Sequence, residues 1–122
     1  MATKRIAQRG EIWYVQLPTD RPEKGRRPVV VVSSDNRNRH ERATTVLVVP
    51  LSKSIHKESP THTVLEPGET GLTERCSVQA ENITTVRKES LYEPRQRLRA
   101  LSNARIHEIA EKVKIAMGCL PR

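Results

Sequence analysis

Apolar positions in the first two thirds of the chain form short runs that turn-forming residues separate. The run Glu11–Leu17 alternates approximately between apolar and polar side chains and stops at Pro18, which is typical of a β-strand. Two later runs are nearly continuously apolar, as expected for strands covered on both faces, and two more are shorter. These runs predict four further strands, at 29–32, 44–51, 61–65 and 77–80. Pro50 predicts an edge or a bulge at the far end of the third strand.

The periodicity changes after Arg87, where apolar residues begin to recur at spacings of three and four. This pattern predicts an amphipathic helix from about Ser102 to Met117, with Ser102 as its N-cap and Gly118 as its terminator. Glu108 and Lys112 are spaced as an i,i+4 ion pair. The chain is therefore predicted to be a small, mainly β barrel with a C-terminal helix that packs on the core.

The length and the charge of the chain narrow its class. With 122 residues the chain falls in the one-domain range, so residues 1–122 are expected to form a single domain. Its 22 lysines and arginines exceed its 14 acidic residues, which gives a formal net charge of +8. This charge suits a polyanion or an acidic partner, although it is also compatible with simple solvation of a small surface.

Several classes are disfavoured by what the composition lacks. Trp13, Tyr14 and Tyr92 are the only aromatic residues, which argues against a single-strand binder that relies on rows of stacking platforms. Cys76 and Cys119 are far apart and form no CxxC pair, so no structural metal site is expected. The sequence shows neither a signal peptide nor a stretch of membrane-spanning length, which predicts a reduced, cytoplasmic protein without a membrane contact.

Candidate chemistry is concentrated where the loop 18–26 enters the second strand. This loop has two prolines, one glycine and five charged residues, so it is expected to be exposed and open to ligands. It leads into Arg27, and the third strand ends just before Ser52. If the two strands are neighbours, Arg27 and Ser52 lie close together, and a guanidinium group can hold a phosphate through two hydrogen bonds. Taken alone, an arginine before a proline favours a structural role, in which Arg27 caps a strand end or pairs with Glu23.

The histidines give less direction. None of the P-loop, dinucleotide-binding, nucleophile-elbow or zinc-protease motifs is present. His40, His56, His62 and His107 show no obvious pairing, and ordinary structural or surface roles are expected for them. His56 stays a candidate because it follows Ser52 closely.

Six segments resemble, in order and spacing, those of the MazF/PemK toxin family, and together they cover about residues 9 to 120. Each segment alone is unspecific, but six in the same order are a strong signal. The segments are Arg9–Trp13 for the family's RG(D/E) opening, Arg27–Val32 for its RPVVV strand, Val48–Ser52 for V-x-P-(L/I)-(T/S), Pro60–Val64 for P-T-x-V, Gly71–Leu72 for its GL turn and Ile83–Val86 for I-x-T-V.

The resemblance implies an SH3-like β-barrel of the MazF/CcdB/Kid type and a symmetric homodimer. It implies a toxin of a type II toxin-antitoxin system, an mRNA interferase that cleaves single-stranded RNA at short motifs without a metal or another cofactor. Attack by the RNA 2′-hydroxyl would leave a 2′,3′-cyclic phosphate and a 5′-hydroxyl, with Arg27 and Ser52 at the scissile phosphate. Because an arginine side chain keeps its proton near neutral pH, an electrostatic role is favoured for Arg27 over proton transfer.

The chain departs from the family pattern at three places that bear on the site. Serine stands at position 52, where threonine is usual, and Asn82 stands where a glutamine is usual. The loop 18–26 is short, so Glu23 is the candidate for the family's glutamate before the arginine. The substrate-binding candidates are Glu23, Lys24, Arg26, Asn38, Lys53, His56 and Asn82.

Two other functions remain open at this stage, and one kind of partner is expected. A non-catalytic toxin of the same fold would poison a topoisomerase by protein contact, but it would not need Arg27 and Ser52 at the strand ends. A plain RNA-binding module fits the charge but has few aromatics to support it. The resemblance also implies a cognate antitoxin, whose acidic, disordered segment would cover the basic loops and block the RNA channel.

Overall fold

The computed structural model describes residues 5–96 and 98–119. Within these ranges it has six strands and three α-helices, together with short 3-10 turns at 22–24, 80–82 and 88–90. All five predicted strands are confirmed, whereas β6, α1 and α2 were not predicted. In chain order the elements are β1 (Ile12–Val15), β2 (Arg27–Val31), α1 (Asp35–Arg39), β3 (Thr45–Ser52), β4 (His62–Leu65), α2 (Pro67–Thr70), β5 (Cys76–Gln79), β6 (Thr84–Arg87) and α3 (Asn103–Ala116).

The strand β3 organises an antiparallel sheet with the order β1-β2-β3-β5-β4. One side of β3 pairs with β2, while the other pairs first with β6 over 45–48 and then with β5 over 51–52. Pro50 lies where the pairing with β6 has ended and that with β5 begins, so its missing N–H interrupts neither of them. The prediction of an edge at this end of β3 is therefore wrong, because the strand continues to Ser52 and pairs with β5.

Alternate side chains of the sheet enter two separate hydrophobic clusters. The first lies on one face and includes Trp13, Val29 and Val48, each fully buried. The second lies on the other face, where strand residues such as Val30 meet Ile109 of α3. Because both faces of β2 and β3 are covered, their apolar runs are continuous, as predicted. The predicted mainly β architecture with a C-terminal helix is confirmed, and the open path from β1 to β4 is compatible with a barrel-like fold.

The helix α3 begins and ends close to the predicted positions. The Oγ of Ser102 accepts a hydrogen bond from the backbone N–H of Arg105 (3.2 Å), and Gly118 follows the helix with a φ of +88°. The buried stripe is narrower than the sequence predicts, because Met117 is 72% exposed. Among the helices that the structure describes, none is long and apolar enough to cross a membrane.

Candidate active site

The sheet register brings Arg27 and Ser52 together. Val29 pairs with Pro50 in the antiparallel β2–β3 ladder, and extending this register by two residues places Arg27 opposite Ser52. The side chain of Arg27 crosses the end of β3, where its Nη2 donates a 3.0 Å hydrogen bond to the carbonyl oxygen of Leu51. The predicted neighbourhood of the two residues is therefore confirmed.

The acidic partner of Arg27 is Asp20. The Nη1 of Arg27 lies 3.3 and 3.4 Å from the two carboxylate oxygens, and the side chains of Arg27 and Asp20 are only 18% and 10% exposed. The alternative pairing with Glu23 is wrong. A 3-10 turn at Pro22–Lys24 leaves Glu23 exposed on the outside of the loop.

Gln79 holds the opposite side of the guanidinium group. Its Oε1 lies 3.5 Å from Nη2 of Arg27 and accepts a 3.2 Å hydrogen bond from Nδ2 of Asn82. Asn82 thus acts on the arginine through Gln79. Three residues from separate parts of the chain contact Arg27, but only the bond to Leu51 is short, so the guanidinium group is oriented without being saturated.

A cleft of about 500 Å³ opens beside Arg27. Cations, a hydroxyl group and apolar side chains line it together, which suits a ligand with a phosphate and a flat organic part. Its lining includes Tyr14, Lys24, Arg27, Ser52, Lys53 and Cys76.

Ser52 presents its hydroxyl group to this cleft. The Oγ accepts a 3.1 Å hydrogen bond from the backbone N–H of Ser54, which fixes the oxygen. Within the described part of the chain, the hydroxyl donates to no acceptor, so its proton is available to a ligand. Lys53, the next residue, pairs with Glu74 at 3.0 Å, but both side chains are well exposed and a phosphate can replace this partner.

The one thiol in the cleft wall is not an activated nucleophile. Burial, helped by the nearby charges of Glu69 and Glu66, raises the pKa of Cys76 to about 11. The thiol therefore stays protonated near neutral pH. Among the residues that the structure describes, no base contacts the hydroxyl group of Ser52 either. This arrangement can stabilise charge on a bound ligand, and it suits a reaction whose nucleophile belongs to the substrate.

The cleft does not gather all the residues proposed from the sequence. Lys24, Lys53, Arg27 and Ser52 line it, and Asn82 reaches Arg27 through Gln79. Glu23 and His56 are exposed but outside the lining.

Asn38 is buried in α1 and has a structural role. It is only 2% exposed, and its Nδ2 donates to the carbonyl oxygen of Ser33 (3.0 Å) and to Asp35 (3.3 Å). Ser34 caps this helix and thereby turns Asn38 inward. Its amide is occupied within the protein, so a contact of Asn38 with RNA is not supported.

His62 pairs with an acidic residue that is distant in the sequence. Its Nε2 lies 2.8 Å from a carboxylate oxygen of Glu81, and its ring centroid lies 6.0 Å from that of His56. Burial raises the pKa of Glu81, but hydrogen bonds from His62 and Thr61 outweigh burial, so that the net shift is downward. The two residues are nineteen positions apart, and only the pairing of β4 with β5 brings them together.

Sequence reasoning missed Asp20, Gln79 and the aromatic pair Tyr14 and Tyr92. Asp20 lies in the loop that was expected to be open to ligands, and Gln79 lies at the end of the predicted fifth strand. Their positions were therefore visible, but the direction of their side chains was not. Within the described ranges, no group of three or more histidine, cysteine, aspartate or glutamate side chains is placed to hold a metal ion.

The fold and the cleft define a small, mainly β protein with a cleft at neighbouring strand ends that is lined in part by cationic side chains. Residues 8–117 match the family model described as the PemK-like, MazF-like toxin of type II toxin-antitoxin systems. The chain belongs to this family.

Individual relatives agree with this assignment. Endoribonuclease MazF9 of Mycobacterium tuberculosis is 36% identical over 108 residues, which cover 84% of this chain and 92% of the relative. Endoribonuclease MazF of Staphylococcus saprophyticus is 29% identical over 116 residues, or 93% of this chain and 92% of the relative. A solved endoribonuclease in complex with its cognate antitoxin, from a mycobacterial species, superposes with a TM-score of 0.70 at 27% identity and covers 95% of this chain and 98% of that one.

Proposed function

We propose that this chain is the toxin of a type II toxin-antitoxin system and that it cleaves single-stranded mRNA endonucleolytically, at specific sequences and without a metal. The observation that carries the proposal is the juxtaposition of Arg27 and Ser52 in a basic cleft, in a chain whose relatives are named endoribonucleases. Arg27 and Ser52 are the residues that act at the scissile phosphate.

The geometry supports cleavage by the RNA's own 2′-hydroxyl. A bond forms between the 2′-oxygen and phosphorus, and the bond from phosphorus to the 5′-oxygen breaks, which gives a 2′,3′-cyclic phosphate and a 5′-hydroxyl. One proton leaves the 2′-hydroxyl and one reaches the 5′-oxygen, so the reaction involves no net gain or loss of protons. The N–H groups of Arg27 stabilise the negative charge that develops on the phosphate, and the hydroxyl of Ser52 donates to a phosphate oxygen. No nucleophile from the protein is required.

Cations extend from this centre along the path that the RNA would take. Lys24 and Lys53 lie in the cleft, and Arg26 rests on Tyr92, which pairs with Tyr14 of the cleft wall. Such side chains neutralise phosphates and give binding that weakens as salt rises. Asn82 and Glu23 offer amide and carboxylate groups to base edges, but only Asn82 is connected to Arg27.

The two other functions are less well supported. A topoisomerase poison acts by protein contact and has no use for an oriented but unsaturated arginine beside a hydroxyl group. A plain RNA-binding module would not need Ser52 at the same phosphate. The nuclease accounts for both residues.

The proposal includes the partners and the location. The solved mycobacterial relative is described as a complex with its cognate antitoxin, and the net charge of +8 here suits an acidic, disordered antitoxin segment that covers the cleft. We also propose that the chain acts as a homodimer in the cytoplasm, where mRNA is available.

The test is cleavage of a broad set of defined RNAs by the purified protein in EDTA, with mapping of the product ends. We expect 2′,3′-cyclic phosphate and 5′-hydroxyl termini, and we expect no cleavage of an RNA that carries a 2′-deoxynucleotide on the 5′ side of the cut. Absence of cleavage by the folded wild-type protein would refute the nuclease. A requirement for a metal, or products with 5′-phosphate ends, would refute the proposed chemistry.

A further inference from the structure

The structure brings two of the three aromatic residues together at the margin of the cleft. Tyr14 lines the cleft and forms an antiparallel β-bridge with Tyr92, with backbone hydrogen bonds of 2.9 and 2.8 Å. Side chains of directly opposed residues in such a bridge project to the same face. Tyr92 therefore extends the aromatic surface outward from Tyr14, and it is 45% exposed.

Arg26 lies on this aromatic surface. Its guanidinium carbon is 3.3 Å from the ring centroid of Tyr92, which is well inside the range of a cation–π contact and close enough for face-on stacking. Arg26 is exposed, and the described contacts give it no carboxylate partner. The pair is thus a flat, cationic platform at the protein surface.

The platform is adjacent to the proposed scissile phosphate. Tyr14 lines the cleft together with Arg27, and it lies directly opposite Tyr92, the ring on which Arg26 rests. An RNA strand whose phosphate lies on Arg27 therefore brings a neighbouring base within reach of Arg26 and Tyr92. Unstacked bases bind to aromatic rings and to the planes of arginine guanidinium groups in this way.

We propose that Arg26 and Tyr92 form a nucleobase-stacking subsite for a base that flanks the cleaved bond; the inference rests on the proposed function. The base stacks on the outer plane of the guanidinium group, which Tyr92 supports from beneath. The in-plane N–H groups of Arg26 remain directed at the base edge or the adjoining phosphate. A scarcity of aromatic residues thus does not exclude stacking, because one supported platform beside the reacting phosphate is sufficient.

The test uses an eight-nucleotide RNA that spans the strongest mapped cleavage site and carries a 2′-deoxynucleotide that blocks the cut. Each flanking base is replaced in turn by an abasic unit. With the wild-type protein, we expect one abasic position to weaken binding about ten-fold, since stacking of one base contributes on that scale. The Tyr92→Leu protein should bind the intact RNA more weakly by about the same factor. For this variant, an abasic unit at that position should weaken binding no further.

Two variants separate stacking from charge and from folding. Tyr92→Phe keeps the ring and should bind as the wild type does. Arg26→Lys keeps the positive charge but removes the planar guanidinium group. It should therefore weaken RNA binding as much as Tyr92→Leu does, with an unchanged salt dependence. Arg87→Lys, the same change at an exposed arginine that pairs with Glu89, should have no effect.

The outcomes distinguish the subsite from the function. In one outcome, the abasic unit weakens binding to every variant, Arg26→Lys included, as much as it weakens binding to the wild type, while RNA is still cleaved. This result would refute the subsite but not the nuclease. A loss spread equally over all positions, with a smaller salt dependence, would make Arg26 a phosphate contact and also refutes stacking. If the folded wild-type protein neither cleaves nor binds RNA, the proposed function itself fails. Should Tyr92→Leu not fold, Arg26→Lys alone decides the question.

Discussion

Arg27 at the cleft and Arg105 at the junction of α2 with α3 are both arginines near carboxylates, but they are held differently. Arg105 makes three good charged hydrogen bonds, at 2.7 and 3.1 Å to Glu69 and at 3.0 Å to Glu108. Arg27 makes one short bond to a backbone carbonyl, and its contacts to Asp20 and Gln79 are 3.3 to 3.5 Å long.

Exposure alone would favour Arg105 over Arg27 as a ligand-binding arginine. The side chain of Arg105 is 32% exposed and that of Arg27 only 18%. Arg27 keeps hydrogen-bonding capacity that stays available in a cleft, which supports its proposed role, whereas the capacity of Arg105 is used in joining α3 to α2. Four experiments can sharpen this contrast or break it.

The largest effect is expected from Arg27→Ala. Loss of its N–H groups from the phosphate should lower kcat/KM for RNA cleavage about 100-fold to 1,000-fold, the usual consequence of deleting a donor that stabilises a developing anion. Initial rates on the mapped RNA measure this. Arg27→Lys keeps the charge beside Asp20 but loses the planar fork, so it should still lose at least about ten-fold.

The matched control is Arg105→Lys. The same change at the saturated arginine should leave the cleavage rate near that of the wild type and lower only the melting temperature. If Arg105→Lys lost as much activity as Arg27→Lys, the distinction between the two arginines would be mistaken.

Ser52→Ala should have the next largest effect, a loss of about 10-fold to 100-fold in cleavage rate, since one hydrogen-bond donor leaves the phosphate. The control is Ser54→Ala, which keeps the backbone N–H that fixes Ser52 and should cleave normally. Ser52→Thr restores the family's usual residue, and its methyl group restricts the rotamer, so its rate should equal or exceed the wild-type rate. A fully active Ser52→Ala protein would remove Ser52 from the site.

A smaller loss, of about ten-fold, is expected for Asp20→Asn. The neutral amide no longer attracts the guanidinium group, so Arg27 is less well positioned, whereas binding of RNA should not weaken. The measurement is therefore kcat against KM, with the loss in kcat. Glu23→Gln should lower kcat much less than Asp20→Asn does, because Glu23 does not contact Arg27. The reverse ranking would return the acidic role to Glu23.

The strands were predictable to the extent that they are locally encoded. The continuous apolar runs of β2 and β3 predict that both strands are buried. Because the two strands follow each other along the chain, the proximity of Arg27 and Ser52 could be inferred. The strand β6 escaped because Thr84–Arg87 has a single apolar residue, and its strand character comes from pairing with β3, about forty residues away. Periodicity carries no information about such a partner.

Side-chain direction in short loops was the other limit. Asp20 and Glu23 are both acidic and lie in the same loop, but Asp20 contacts Arg27, whereas the 3-10 turn at Pro22–Lys24 leaves Glu23 exposed. Likewise, Asn38 was a substrate-binding candidate, but Ser34 caps a helix in which Asn38 is buried. The residue types in the sequence predicted what kind of side chains line the cleft. The backbone conformation determines which individual residues of each type face it.

The smallest effect concerns stability and its dependence on pH. The hydrogen bond from Arg105 is the main cause that lowers the pKa of Glu69 below its ordinary value of 4.5. A carboxylate with a lowered pKa stabilises the folded state above its unfolded pKa, and this contribution is lost as the pH falls through the folded pKa. Glu69→Gln should thus lower the free energy of unfolding by about 1 kcal/mol near neutral pH, with cleavage unchanged.

Chemical denaturation of both proteins from about pH 7 to about pH 3 should show the two stabilities converging as the pH falls below 4.5. The matched control is Glu111→Gln, which removes an exposed carboxylate that pairs with Lys114 on the same helix and should leave stability nearly constant relative to the wild type. A difference between wild type and Glu69→Gln that did not change with pH would show that the Arg105 network acts by packing and not by charge. Arg105 would then stabilise the fold through packing of its aliphatic side-chain atoms, and hydrogen-bond saturation would no longer distinguish it from Arg27.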